Sequence, residues 1–364
     1  MVGTREVNDM KRIKTNVIPF RGSHYDFGYV QGKEISDSWT VRNREKQWKV
    51  RKPLFQINVE ETKQVYKQYA PQIWEEFIGL QDALEWPLEK VLLEFGGYRV
   101  KVPKSGCSIL IGNDYMIRNY DYHPKTYDGR FTLFQPSDQG YATIGVSQRI
   151  TGRCDGMNEK GLILGYTFTN RKRPGNGFVC NMIGRIVLEQ CANTEEAVDF
   201  LKEIPHRGSF SYVLYDNNRE AVIVEASPRG VESRKGAVCT NHFTLLPKEN
   251  RHFLQDSRKR LDLMESKMGE ELTGEEAFHL LNDSDKGIFS SQYRNWAGTI
   301  HTSAYFPSEL SAWYVLGSNR KPAVFSFQDW LKGSDVPLGV EGEIDTDIPF
   351  LHMEKADWFQ NSKS

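Results

Sequence analysis

The chain has 364 residues, 39% of them apolar and 12% aromatic, which supports a sizeable core and excludes a disordered polymer. Its 47 basic and 48 acidic side chains leave a formal charge of −1, without the basic surplus of a nucleic-acid binder, so small molecules or peptides are the expected partners. The first twenty residues hold no apolar run of the secretory type, and no later stretch approaches the roughly 18 apolar residues that cross a bilayer, so no membrane segment is expected.

In chain order, 34–100 reads as mostly helical. The stretch 34–52 is strongly charged, and 59–84 carries Val65, Tyr69, Ile73, Phe77 and Leu80 at helical spacing. Pro71 is expected to kink or divide that stretch. Pro87 opens a short apolar helix over 88–95, as proline does in a first turn. The texture changes near Lys101-Val-Pro-Lys-Ser-Gly106. Beyond it, β-rich runs are predicted over 107–111, 115–120, 131–134, 141–150 and 161–169. A helical pair follows over 178–190 and 194–204. A hairpin then joins 209–215 to 221–226 through Asp216-Asn-Asn-Arg219. Helices are expected near 257–268 and 274–282, and strands near 298–305 and 311–317. Strands on both sides of a helical pair suggest two sheets stacked between helix layers. Residues 1–106 read as a separate functional segment, which need not be a separate domain.

Cys107 opens the first β-rich run. Gly112-Asn113-Asp114 is a turn signal between two apolar runs. A turn centred on Asn113 would set Cys107 opposite Asn119, with Arg118 and Asp121 within a residue or two across the ladder. Adjacent strands lie about 4.8 Å apart, so these side chains can reach the thiol. A one-residue slip would exchange which of them share its face. The thiolate is the reactive form of cysteine, and a guanidinium favours it while exchanging no proton. Taken alone, the grouping better fits a buried strand cysteine beside a surface Arg–Asp pair. The other cysteines, at 154, 180, 191 and 239, form no CxxC pair and read as small packing residues. An odd, dispersed set suits reduced thiols and predicts a cytoplasmic location.

Four motifs in one order carry a resemblance. They are Gly106-Cys107-Ser108, Arg118-Asn119-Tyr120-Asp121, Asp155-Gly-Met-Asn-Glu-Lys-Gly-Leu162 and Cys239-Thr-Asn-His242. Upstream stands Phe20-Arg-Gly-Ser-His-Tyr-Asp-Phe-Gly-Tyr-Val-Gln-Gly32. The pattern resembles the cysteine N-terminal-nucleophile hydrolases: the choloylglycine hydrolases, the penicillin V acylases and the acyl-coenzyme A:6-aminopenicillanic acid acyltransferases. It is good over 106–262 and thinner over 17–35 and 294–318. The resemblance implies an α+β fold, a four-layer αββα sandwich preceded by a helical leader. The leader would be residues 1–106 and the catalytic part residues 107–364, separated by self-cleavage of a zymogen between Gly106 and Cys107. The freed α-amine of Cys107 would act as base for its own thiol, since an α-amine titrates near 7.7–8.0. Gly106 suits the cut because a residue without a β-carbon lets the thiol approach the preceding carbonyl.

By the same resemblance Arg118 would lie against the thiol and Asp121 would hold the new amine. Asn241 would donate to the oxyanion, a contact whose loss costs about 2.7–4 kcal/mol in known cases. Arg258 would be the family's second arginine, with Arg260 competing for the role. Many relatives have an asparagine where this chain has Gly165-Tyr166-Thr167, so the Thr167 hydroxyl becomes the oxyanion candidate, with a backbone amide as the alternative. Asp155-Gly156 and Gly161 are expected to form a hairpin turn and do no chemistry. The implied activity is hydrolysis of an N-acyl small molecule or transfer of its acyl group, with an acyl-coenzyme A donor as one option, no cofactor or metal, and a homo-oligomer as one possible assembly.

Other chemistries fit less well. No CGSC signature supports a papain-like thiol hydrolase. HExxH is missing and the cysteines are dispersed, which disfavours zinc. There is no Walker loop and no GxGxxG after a strand. A catalytically silent, unprocessed binding protein of the same fold is the remaining alternative, because fold alone does not prove activity.

Overall fold

The computed structural model describes residues 10–38, 41–42, 57–100, 106–169, 172–268, 270–295 and 297–350. Most of the charged run over 34–52 lies outside them. The chain opens with strand β1 (Met10–Gly22), then helices α1 (His24–Ile35), α2 (Val59–Tyr69), α3 (Pro71–Leu84) and α4 (Leu88–Phe95). Pro71 divides the helical stretch, standing at the first turn of α3, where its missing N–H costs nothing. Strands β2 (Gly106–Ile111), β3 (Met116–Asp121), β4 (Arg130–Pro136), β5 (Thr143–Gln148), β6 (Gly152–Asn158) and β7 (Ile163–Phe168) follow. After them come α5 (Cys180–Gln190), α6 (Thr194–Glu203), β8 (Phe210–Tyr215), β9 (Val222–Ser227), β10 (Gly230–Lys235) and β11 (Val238–Cys239). The last third holds α7 (Gln255–Glu265), α8 (Gly274–Asn282), β12 (Ser291–Gln292), β13 (Ala297–Phe306), β14 (Ser311–Leu316), β15 (Ala323–Ser326), α9 (Phe327–Leu331) and β16 (Gly339–Asp345).

Two sheets form, and the architecture is the αββα sandwich. One sheet runs β10-β9-β8-β7-β6-β5-β4-β1-β16, the other β11-β2-β3-β13-β14-β15, with β12 on β13. They face each other through β2 against β7 and β14 against β16. Helices α5 and α6 cover the larger sheet, and α7 and α8 cover the smaller one. No described helix is long and apolar enough to cross a membrane.

The segment before residue 106 is built into this frame. β1 pairs in parallel with β4 and antiparallel with β16, so it lies inside the larger sheet. Its helices pack by backbone contact. A β-carbon on Gly28 would meet the Glu76 carbonyl oxygen at 2.0 Å, and one on Gly79 would meet that of Tyr25 at 2.1 Å. These glycines, of which Gly28 belongs to the upstream motif, let α1 and α3 approach until Glu76 is buried against α5. There Arg185 donates to Glu76 at 2.8 Å and also to Glu189. His24 lies between Asp138, at 2.7 Å, and Glu189, at 3.2 Å.

One sequence expectation is corrected. Asp155-Gly156 is no turn but the middle of β6, which pairs with β5 and β7. Gly156 is needed for packing, since a β-carbon there would meet the Ile144 carbonyl oxygen at 2.6 Å. The turn lies further on, where Gly161 takes a φ of +85° that favours glycine.

Candidate active site around Cys107

The β2–β3 turn places the thiol. Gly112 N–H donates to the Tyr115 carbonyl at 3.0 Å, closing a two-residue turn at Asn113-Asp114. Such a turn centres between its residues rather than on Asn113. Cys107 therefore pairs with Tyr120, one residue away from the expected Asn119. Opposed residues share a face, so Cys107 stands with Arg118, two residues along on the partner strand. Gly106 pairs with Asp121 on the other face.

Arg118 is wholly buried between the sheets. Its Nη2 donates to Cys107 Sγ at 3.2 Å and to the Tyr166 carbonyl at 2.7 Å, and its Nη1 donates to Asp155 Oδ2 at 2.5 Å. The guanidinium lies 4.3 Å from the Tyr120 ring centre and 4.9 Å from that of Tyr166, close enough for cation–π attraction. Gly165 makes the room: a β-carbon there would meet Arg118 Cδ at 3.3 Å and Ile109 Cδ1 at 3.1 Å. Burial pushes the Cys107 thiol up to about 11, against the pull of Arg118. In this uncut chain the thiol is protonated at neutral pH and fully shielded from solvent.

The backbone of Cys107 is held from the helix side. β11 pairs Cys239 with Ile109, and the same register carried two residues on puts Asn241 beside Cys107. Asn241 Oδ1 accepts from Cys107 N–H at 2.9 Å and from Arg260 Nη2 at 3.0 Å, while its Nδ2 donates to the Phe168 carbonyl at 2.9 Å. Two donors on one atom fix which end of the amide is oxygen. Arg260 Nη1 reaches the Cys107 carbonyl and Ser108 Oγ, both at 2.7 Å. Asp121 Oδ1 accepts from Thr299 Oγ1 at 2.6 Å. Its Oδ2 lies 3.1 Å from where a β-carbon on Gly106 would stand. Burial raises its pKa to about 6, opposed by Arg260 and by the Thr299 hydrogen bond.

Of the residues singled out in the sequence, Gly106, Cys107, Arg118, Asp121 and Asn241 come together. Two do not join them. Arg258 is exposed on α7, and Arg260 takes the inward position. Helical spacing carries that signal, because Ser257, Arg260 and Met264 form the buried face. Thr167 is buried, but its hydroxyl donates to the Thr240 carbonyl at 2.7 Å. Sequence reasoning passed over Asp155 and Tyr305, which donates to Asp155 Oδ1 at 2.5 Å. Asp155 was hidden by a bulge: Val146 pairs with Asp155 and Ser147 with Arg153, leaving Cys154 unopposed and the strand's alternation broken.

The family model for acyl-coenzyme A:6-aminopenicillanic acid acyl-transferase matches residues 111–321, more than half of the chain, beginning four residues after Cys107. No curated protein matches. Among solved structures, the chain is similar to a variant of conjugated bile acid hydrolase from Clostridium perfringens. The identity is 14%, over 66% of this chain and 97% of that one, with a TM-score of 0.46. It is also similar to penicillin V acylase from Agrobacterium tumefaciens, at 16% identity over 69% and 89% of the two chains and a TM-score of 0.42. A third is the N-acylethanolamine-hydrolyzing acid amidase ortholog from Caenorhabditis elegans, at 12% identity over 55% and 92%, with a TM-score of 0.39.

Proposed function

Because the chain belongs to the acyl-coenzyme A:6-aminopenicillanic acid acyl-transferase family, we propose that it cuts itself between Gly106 and Cys107 and then hydrolyses or transfers the acyl group of an N-acyl small molecule through Cys107. The observation that carries this reading is the 3.2 Å contact of Arg118 with Sγ, beside a Cys107 N–H held by Asn241.

In the first step Sγ attacks the Gly106 carbonyl carbon. The Gly106–Cys107 C–N bond breaks, a thioester to Gly106 forms, and the departing nitrogen takes the thiol proton. Water then cleaves the thioester, releasing residues 1–106 with a carboxylate and Cys107 with a free amine. In turnover the amine takes the thiol proton. Sγ attacks the substrate carbonyl, the amine product leaves with that proton, and water or an acceptor amine resolves the thioester. Asp121, paired with Gly106 across the hairpin, holds the new ammonium. Asn241 turns its Nδ2 from the Phe168 carbonyl to the oxyanion once Cys107 is an N-terminus. Arg260 braces the Cys107 carbonyl throughout. The two pieces stay associated, since β1 lies inside the larger sheet and Glu76 and His24 are buried against α5.

Intact-mass measurement after denaturation tests the reading. Two masses, for 1–106 and 107–364, are expected, together with turnover on a panel of N-acyl amines with and without an acceptor amine. A single full-length mass after long incubation, with no turnover, would leave the silent binding protein in its place.

A further inference from the structure

Arg118 is held by a carboxylate that comes from the opposite sheet. Asp155 is fully buried on β6, and both of its oxygens are occupied: Oδ2 by Arg118 Nη1 and Oδ1 by the Tyr305 hydroxyl, each at 2.5 Å. His301 stands behind it, Nε2 3.8 Å from Oδ2, in a face of β13 that also carries Tyr305. A buried guanidinium that serves a thiol with one nitrogen and a carboxylate with the other divides its charge between them. The carboxylate thus sets two properties of the thiol: the direction from which Nη2 approaches Sγ, and how much positive charge Sγ feels.

We propose that Asp155 is a positioning residue for Cys107, acting through Arg118 to hold the guanidinium on Sγ and to limit its pull on the thiol proton. This role rests on the reading of Cys107 as nucleophile; burial keeps the thiol protonated, and Asp155 sets how far Arg118 opposes that burial. The groups facing the pair are Tyr120 and Asp121 on β3, Cys154 beside Asp155 on β6, Tyr166 on β7, His301 and Tyr305 on β13 and Arg260 on α7. Among them Asp155 is the carboxylate bonded directly to Arg118. It is kept ionised, at about 2, because Arg118, His301 and Tyr305 together outweigh its burial. His301 is held below its ordinary value by burial, despite Asp155.

The test uses the full chain with Asp155→Asn, which keeps the shape and removes the charge. Ionisation of Cys107 is read as the ultraviolet thiolate absorbance that disappears in Cys107→Ala, followed against pH. With its cation no longer compensated, Arg118 should draw the thiol midpoint down by roughly one to three units. The acid limb of kcat should move down with it, while KM stays within about twofold. A midpoint that is unmoved or raised, with only a loss of thermal stability, would make Asp155 a structural ion-pair partner and overturn the proposal. Should Asp155→Asn fail to fold, Tyr305→Phe decides. Losing that hydrogen bond concentrates the carboxylate's charge on Arg118, so the midpoint should rise slightly, and no movement counts against the role. If Cys107→Ala retains turnover, the proposed function falls, yet the absorbance midpoint still reports whether Asp155 governs this thiol.

Discussion

Two buried ionic clusters in this molecule use the same side chains to different ends. At the junction of α1, α3 and α5, Arg185 meets Glu76 and Glu189, and His24 meets Glu189 and Asp138. Cations and acids close on one another there. Burial opposes the charge on Glu189, but Arg185 and His24 hold its pKa down at about 2. At Cys107 the cluster is left open by one partner, because Arg118 has a single carboxylate and spends its other nitrogen on a carbonyl and a thiol. A closed set of pairs can only fasten elements together. An arginine that ends on a thiol can change what that thiol does. The first cluster joins residues on the two sides of Gly106–Cys107, and the second surrounds that bond.

The sharpest break in the comparison is at the open end. Cys107→Ala should abolish both self-cleavage and turnover, read by intact mass and product formation, whereas Cys180→Ala and Cys191→Ala should leave turnover largely intact. Removing a cation from the closed cluster comes next. Arg185→Met leaves buried Glu76 with only the Gln31 amide and Glu189 with only His24, and should destabilise the protein by about 3–5 kcal/mol, measured by denaturant unfolding, and should loosen the cut pieces from each other on gel filtration. Smaller, and confined to the site, is the effect of the arginine behind Cys107. Arg260→Ala releases the Cys107 carbonyl and Asn241 and should slow turnover about 100-fold, as a small misplacement of reacting groups does. Arg258→Ala should stay within about twofold, and equal losses in the two variants would refute the assignment of the inward position to Arg260.

The smallest effect is in pH dependence. Burial lowers the proton affinity of His24, but Glu189 more than restores it, and the folded pKa lies above the ordinary 6.5. A raised histidine adds stability that is complete below 6.5 and is lost as pH rises through the folded value. Glu189 works the other way, adding stability above the ordinary carboxylate range that is lost as pH falls toward 2. Unfolding midpoints should therefore decline on the alkaline side of pH 6.5, and His24→Gln should remove that decline. A parent curve that is flat there would mean that His24 is neutral and the cluster is closed by Arg185 alone.

Much of this was legible in the residues. Helical spacing and Pro71 set the boundary between α2 and α3, and the run 274–282 became α8. The turn signal at Gly112-Asn113-Asp114 found the hairpin that carries Cys107 and Arg118. β1 and β16 escaped notice because each owes its place to partners far along the chain. Exact register also escaped, since whether a turn centres on a residue or between two depends on a hydrogen bond from Gly112 to Tyr115.

The sequence by itself determined most of the order of elements and the closeness of Cys107, Arg118 and Asp121, because a hairpin is a local consequence of turn chemistry and side-chain alternation, while Asn241 joined them only through the family resemblance. Only the tertiary structure decided that Asp155 answers Arg118 from the opposite sheet, that Arg260 turns inward and Arg258 outward, and that Asn241 presents oxygen to Cys107 N–H. These depend on how two sheets and a helix meet. A charge buried between layers takes whichever partner the packing brings within hydrogen-bond distance, and sequence separation sets no limit on that choice.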